Sequence, residues 1–255
     1  MKITAVLLLT LGLVACGKAE TPAEGLTKAK VATPEAAPAT ADKPDPDTPA
    51  NQFVALGSTQ DCLGLYANLA PTDGKTRAIA TFAGTQGPDF RKLEGFARSD
   101  KLRALEASFD QLVAPMKGKT LFTYTSSTND DYREYQLDRK AFFDSTHMTW
   151  GGSDPMGNTT GNAELGLTQE YGTCVLRLVN TDAWKGQFKV VDETQARAAD
   201  AARHAGKGHV KFYLQAVSAD AANNSLDWPR LNAEIVRVEL VDDAGTLLAR
   251  AHPSH

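Results

Sequence analysis

No stretch of this 255-residue chain stays apolar for long enough to cross a bilayer. The longest uncharged, mostly apolar run, Ile3 to Ala15, has 13 residues, against about 20 for a spanning helix. The common local signatures of catalysis are missing as well: no G-x-S-x-G, S-x-x-K, H-E-x-x-H, C-x-x-C or phosphate-cradling G-x-x-x-x-G-K-[ST] occurs, since Gly12, Gly17 and Lys18 have that spacing but Ala19 follows the lysine. A site built from distant residues is still open, but the enzyme classes that announce themselves in sequence are excluded. Positive charge is not in excess. There are 27 Lys and Arg against 31 Asp and Glu, with no basic stretch, so nucleic acid is not an expected partner. Cysteine is scarce, with three in all.

What is present begins at the N-terminus. Lys2 followed by the Ile3–Ala15 run has the charge and length of a secretory signal peptide. The run ends in Leu13-Val14-Ala15-Cys16, which resembles the lipobox of bacterial lipoproteins. The alternative is an ordinary signal peptide cut beyond Ala15, with Cys16 incidental. The resemblance implies cleavage between Ala15 and Cys16, lipid on the Cys16 thiol and acylation of the new amine. Two or more acyl chains anchor a protein stably where one does not. Gly17 follows, rather than the aspartate that retains many lipoproteins in the inner membrane, so the resemblance implies an outer-membrane protein facing the periplasm.

Composition then changes. Residues 17–52 hold 6 of the 12 prolines and 9 alanines, with only Leu26 and Val31 as larger aliphatics. Such a segment buries too little apolar surface to offset its ordering entropy and reads as a disordered linker. As a flexible coil it would span roughly 30–36 Å. The expected layout is a signal peptide over 1–15, lipidated cysteine and linker over 16–52, and one domain over 53–255.

Within that domain the apolar spacing predicts helices and strands in turn. "TQDCLGLYANLAP" aligns Cys62, Leu65, Tyr66 and Leu69 on one helical face. "DKLRALEASFDQLVAP" does the same for Leu102, Leu105, Phe109, Leu112 and Val113, with Ser99 or Asp100 as the cap. "KTLFTYTS", "TCVLRLV", "QFKVV" and "HVKFYLQAV" read as strands, and "AEIVRVELVDDAGTLLARA" as a hairpin turning at Gly245. Between them "DETQARAADAARHAG" is a helix capped by Asp192 with Gln195 and ended at Gly206. The expected class is α+β, with a mainly antiparallel sheet of five to seven strands packed with three or four helices.

Cys62 and Cys174 remain once Cys16 is set aside, and an even pair in an exported chain suggests a disulfide. Two buried reduced thiols are the alternative. Neither cysteine has a basic neighbour of the kind that activates a nucleophile. His204 and His209 flank a glycine turn without a carboxylate or thiolate at ligand spacing, so no metal and no cofactor is expected. "DDYREYQLD", residues 130–138, reads as a turn entering an exposed strand with half-buried tyrosines. The glycine-rich "TWGGSDPMGNTTGNAELG", residues 149–166, reads as a long loop. Long unstructured loops in compact domains are commonly functional. Trp150, Asp154 and Asn158 are therefore the candidate contacts to a ligand or partner. The expected function is non-catalytic binding of an envelope protein or glycan. The alternative is an envelope hydrolase using scattered residues such as Asp131, His147 and Asp154.

Overall fold

The computed structural model describes residues 45–71, 73–126, 132–144, 149–150, 163–184, 186–221 and 227–251. A mixed, mainly antiparallel sheet carries the α+β fold. Its strands are β1 (Val54–Ala55), β2 (Leu121–Thr125), β4 (Thr149–Trp150), β5 (Ala163–Gln169), β6 (Gly172–Leu178), β8 (Gly208–Ala221), β9 (Pro229–Asp242) and β10 (Leu247–Ala251). The order is β1-β2-β8-β9-β6-β5-β4, with β10 also on β9. Among the described residues only β1–β2 and β6–β9 run parallel. Six of these strands have five residues or more, while β1 and β4 are two-residue edges. β3 (Ala141–Phe143) and β7 (Gln187–Lys189) form a separate two-stranded sheet.

One face of the large sheet is covered by helices α1 (Thr59–Leu69), α2 (Gly74–Thr85), α3 (Gly95–Val113) and α5 (Glu193–His204). A one-turn α4 (Thr181–Trp184) adds Trp184 to the same core. Val210, Phe212, Leu214 and Ala216 point into this core, as their alternation predicts. In β9 the residues that enter this core are Leu231, Ala233 and Ile235, then Val238 and Leu240. The phase slips by one because the register shifts between Tyr213 and Leu214, opposite an extra Val236. Such a bulge lets a strand keep its apolar residues inside while bending.

β9 shares one edge between two partners, β6 up to Ala233 and β10 from Val238. Asn180 fills the gap. Its Nδ2 donates to the Ile235 carbonyl at 3.0 Å, and its Oδ1 accepts from the Ile235 N–H at 2.7 Å. A side-chain amide thus supplies the two bonds a missing strand would have made.

Several expectations change. α2 is an additional helix, and α3 begins at Gly95 behind Glu94, not at Ser99 or Asp100. Glu94 is extended and makes no side-chain cap bond, so no capping signature marked the true start. Tyr132 is fully buried, because its hydroxyl donates to the Ala199 carbonyl at 2.8 Å and its ring packs edge-on against Phe142. The segment after it forms isolated bridges rather than a strand. Residues 163–166 of the expected glycine-rich loop belong to β5, paired along β6.

The outer face of the sheet bears Phe53, Tyr213 and Val236. Residues 45–52, expected as linker, lie against this side. Arg237 donates through Nη1 to the Pro46 carbonyl at 2.9 Å and the Thr48 carbonyl at 2.6 Å. Folded structure therefore starts upstream of Phe53. Its ordering comes from Arg237, with Arg250 Nη1 3.7 Å from Asp47 Oδ1 beside it, instead of apolar burial, which composition does not register.

Candidate functional site

α1 is tied to the sheet by the Cys62–Cys174 disulfide, with Cα atoms 6.1 Å apart and both residues fully buried. Two residues before Cys174, the β5–β6 turn docks on α2 backbone to backbone. The Tyr171 N–H donates to the Gly84 carbonyl. A Cβ on Gly84 would come within 2.9 Å of the Tyr171 carbonyl oxygen, and one on Gly172 within 2.5 Å of the Thr81 carbonyl oxygen. Only glycines permit this approach. Gly172→Ala is expected to cost about 2 kcal/mol through forced separation of turn and helix. A urea midpoint within error of the parent's would show that the contact is not tight.

This docking shapes an open groove of about 920 Å³. α2 contributes Arg77 and Thr81, the short 3-10 helix Pro88–Lys92 contributes Phe90 and Arg91, and the first turn of α3 contributes Arg98. Opposite stand Glu170 and Tyr171 of the turn, with Asp227 and Trp228 just ahead of β9. Two of these residues hold the left-handed conformation without being glycine, Glu170 at φ +52° and Asp227 at φ +51°. Such conformations persist only where surroundings fix them and often mark functional positions.

Charge in the groove is organised. Arg77 Nε donates to Asp227 Oδ2 at 2.9 Å, and its Nη1 donates to the Tyr66 hydroxyl at 3.1 Å. These partners raise the Arg77 guanidinium above its ordinary value, keeping it charged. Burial pushes the Tyr66 phenol up, against the pull of Arg77. Tyr66 is therefore a neutral hydroxyl, fully buried against Arg77. Arg91 sits over the Tyr171 ring and Arg98 over the Phe90 ring, each 4.8 Å from the centroid.

A second polar cluster lies on the outer face, where Arg230 meets Asp220 through Nε at 2.7 Å and Nη2 at 2.9 Å. Burial works to raise the Asp220 carboxyl, but these bonds hold it below its ordinary value. Glu164 reaches both Arg177 and Arg230 across the strands. The cluster reads as cross-strand support.

Of the loop residues singled out from sequence, only Trp150 is among the described residues. Trp150 pairs with Ala163 at the start of β5. The groove takes the other end of that strand from Thr168, roughly 17 Å along it at the usual rise. Cys16, Asp131, His147, Asp154 and Asn158 lie outside the described residues. His204 ends α5, and His209 Nε2 lies 2.7 Å from Asp243 Oδ1. Among the described residues no group of three or more His, Cys, Asp or Glu is placed to hold a metal, and no helix is long and apolar enough to cross a membrane. Sequence reasoning missed every groove residue. The one local signal was the density of aromatic and arginine positions in "PDFRKLEGFAR", residues 88–98.

Comparison with family models, with characterised proteins and with solved structures finds no match to this chain.

Proposed function

We propose that the chain is a lipid-anchored envelope protein, probed from the periplasm by an envelope component or protein partner that binds in the α2–α3 groove. The anchor rests on the Lys2, Ile3–Ala15 and Leu13–Cys16 pattern. The groove is the observation that carries binding. It has the volume of a ligand site, rigid aromatic rings at its walls and convergent polar groups. Its chemistry suits holding more than cleaving. Asp227 is already paired with Arg77, and the lining hydroxyls belong to threonines and Tyr171, with no histidine or cysteine among the lining residues. A disulfide bracing the site fits an oxidising compartment.

Two measurements test the two halves. Cys16→Ser is expected to move the protein out of the membrane fraction or to stall the precursor, and unchanged processing with unchanged membrane association would sink the anchor. A photo-reactive phenylalanine replacing Tyr171, on the groove, is expected to capture an envelope component identifiable by mass spectrometry. The same probe replacing Leu247, in the hairpin strand β10, should capture nothing. Equal capture at both positions would remove the groove as the site.

A further inference from the structure

Two of the three groove arginines have no counter-ion among the described residues. Arg77 is committed to Asp227 and Tyr66. Arg91 and Arg98 rest on the rings of Tyr171 and Phe90, and among the described residues neither makes a hydrogen bond or an ion pair. A guanidinium over an aromatic face is pre-organised at low entropic cost, and its N–H edge is left to meet a planar anion with two parallel bonds. Phe90 is buried, so the platform under Arg98 is rigid. The Tyr171 N–H on Gly84 anchors the backbone from which the half-exposed ring under Arg91 projects. The same groove also presents Asp73 and Glu170, which are likewise without a bond or ion pair among the described residues. A polyanion such as a phosphate chain would be repelled by these two carboxylates. A ligand carrying both carboxylates and a free amine would use all four side chains.

We infer that the groove, read as the binding site above, takes a short peptide bearing carboxylates and a free amine, the chemistry of an uncross-linked cell-wall stem peptide. Arg91 and Arg98 hold its carboxylates, Asp73 and Glu170 its amine, and the threonine hydroxyls of Thr76, Thr81 and Thr168 its amides.

The test uses the full chain in detergent micelles and a fluorescent stem peptide, alanyl-γ-glutamyl-diaminopimelyl-alanine, followed by anisotropy. Arg91→Gln with Arg98→Gln is expected to weaken binding at least about tenfold, as loss of charge-assisted bidentate bonds does. The melting temperature should fall by only a few degrees, because each arginine gives up one cation–π contact of about 0.5–1 kcal/mol and no hydrogen bond to the fold. Amidating the peptide's carboxyls should weaken binding of the parent to the same degree and leave the double variant unaffected. Acetylating its amine should weaken both proteins alike. Equal binding of amidated and free peptide, or unchanged binding by the double variant, overturns the proposal. So does competition by inorganic phosphate at peptide concentrations, which would mark a simple anion site. The underlying reading fails separately. If the parent ignores the peptide while the probe at Tyr171 still captures a partner, the groove stands and the peptide falls. If neither binds, both fall.

Discussion

Replacing Cys62 and Cys174 together with alanine is expected to lower the melting temperature by about 10 °C, at 2–4 °C per kcal/mol for a domain of this size. The bridge spans 112 positions of sequence, so in the unfolded chain it closes a long loop. The chain-entropy account assigns such a closure about 4–5 kcal/mol, and removal of native disulfides commonly costs 2–5 kcal/mol. The two alanines also leave the space of two sulfurs in a fully buried site, which adds to the loss. Position matters beyond stability. Gly172 lies two residues from Cys174 and is the point where the β5–β6 turn meets α2. Slackening that strand therefore loosens Tyr171 and the ring on which Arg91 rests, and peptide affinity should fall with stability. Because both sulfurs are buried, reductant should leave the native protein oxidised and act only after unfolding. Calorimetry of the double variant, with thiol labelling of the parent before and after denaturation, checks both statements. A shift under about 2 °C would mean that the bridge contributes little, the low end of what disulfides do.

Much of the fold was legible where one local pattern carried the outcome. Leu102, Leu105, Phe109, Leu112 and Val113 all face the core, and the side chain of Asp192 accepts from the Gln195 N–H at 2.8 Å as the capping sequence implies. β8 kept its alternation, and Gly245 adopts φ +79° in the β9–β10 turn. α2 was not legible. "GKTRAIATFAGT" carries two glycines and three threonines, poor helix formers that packing of Ala78, Ile79, Phe82 and Ala83 overrides. The groove was not legible because its parts come from residues 73–98, 168–173 and 227–228, and only the sheet order places them together. The parallel β6–β9 pairing that brings Trp228 beside the β5–β6 hairpin has no local sequence signal. The glycine-rich stretch drew attention by composition alone, and its C-terminal part proved to be ordinary strand.

Arg237→Ala is expected to release residues 45–52 from the sheet and to destabilise the domain by about 3 kcal/mol, the usual cost of breaking a buried ion pair from one side. The guanidinium is 3 % exposed and its Glu239 partner 7 %, with Nε donating to Oε1 at 3.1 Å. Removing it leaves that carboxylate to Arg250 alone, whose Nε lies 3.0 Å away. It also strips the Pro46 and Thr48 carbonyls of their donor and the Tyr213 ring of a cation 3.7 Å from its centroid. Nothing apolar in residues 45–52 replaces those interactions, since none of these residues is buried. The segment should therefore peel away before the core unfolds. Limited proteolysis would show new cleavage within 45–52 at temperatures where the rest of the domain resists, alongside a melting temperature lowered by roughly 6–12 °C. Arg237→Lys keeps the charge but not the fork that serves two carbonyls and a carboxylate together, so it should fall between parent and alanine. Along β9, Arg237 stands eight residues from Pro229, roughly 25 Å from the groove's Trp228 at the usual rise. Held there, residues 45–52 are tied to the sheet away from the groove and line none of it. Peptide binding by Arg237→Ala should accordingly persist below its melting point. A variant that melts and is cleaved like the parent would show that the arginine is not what orders the segment.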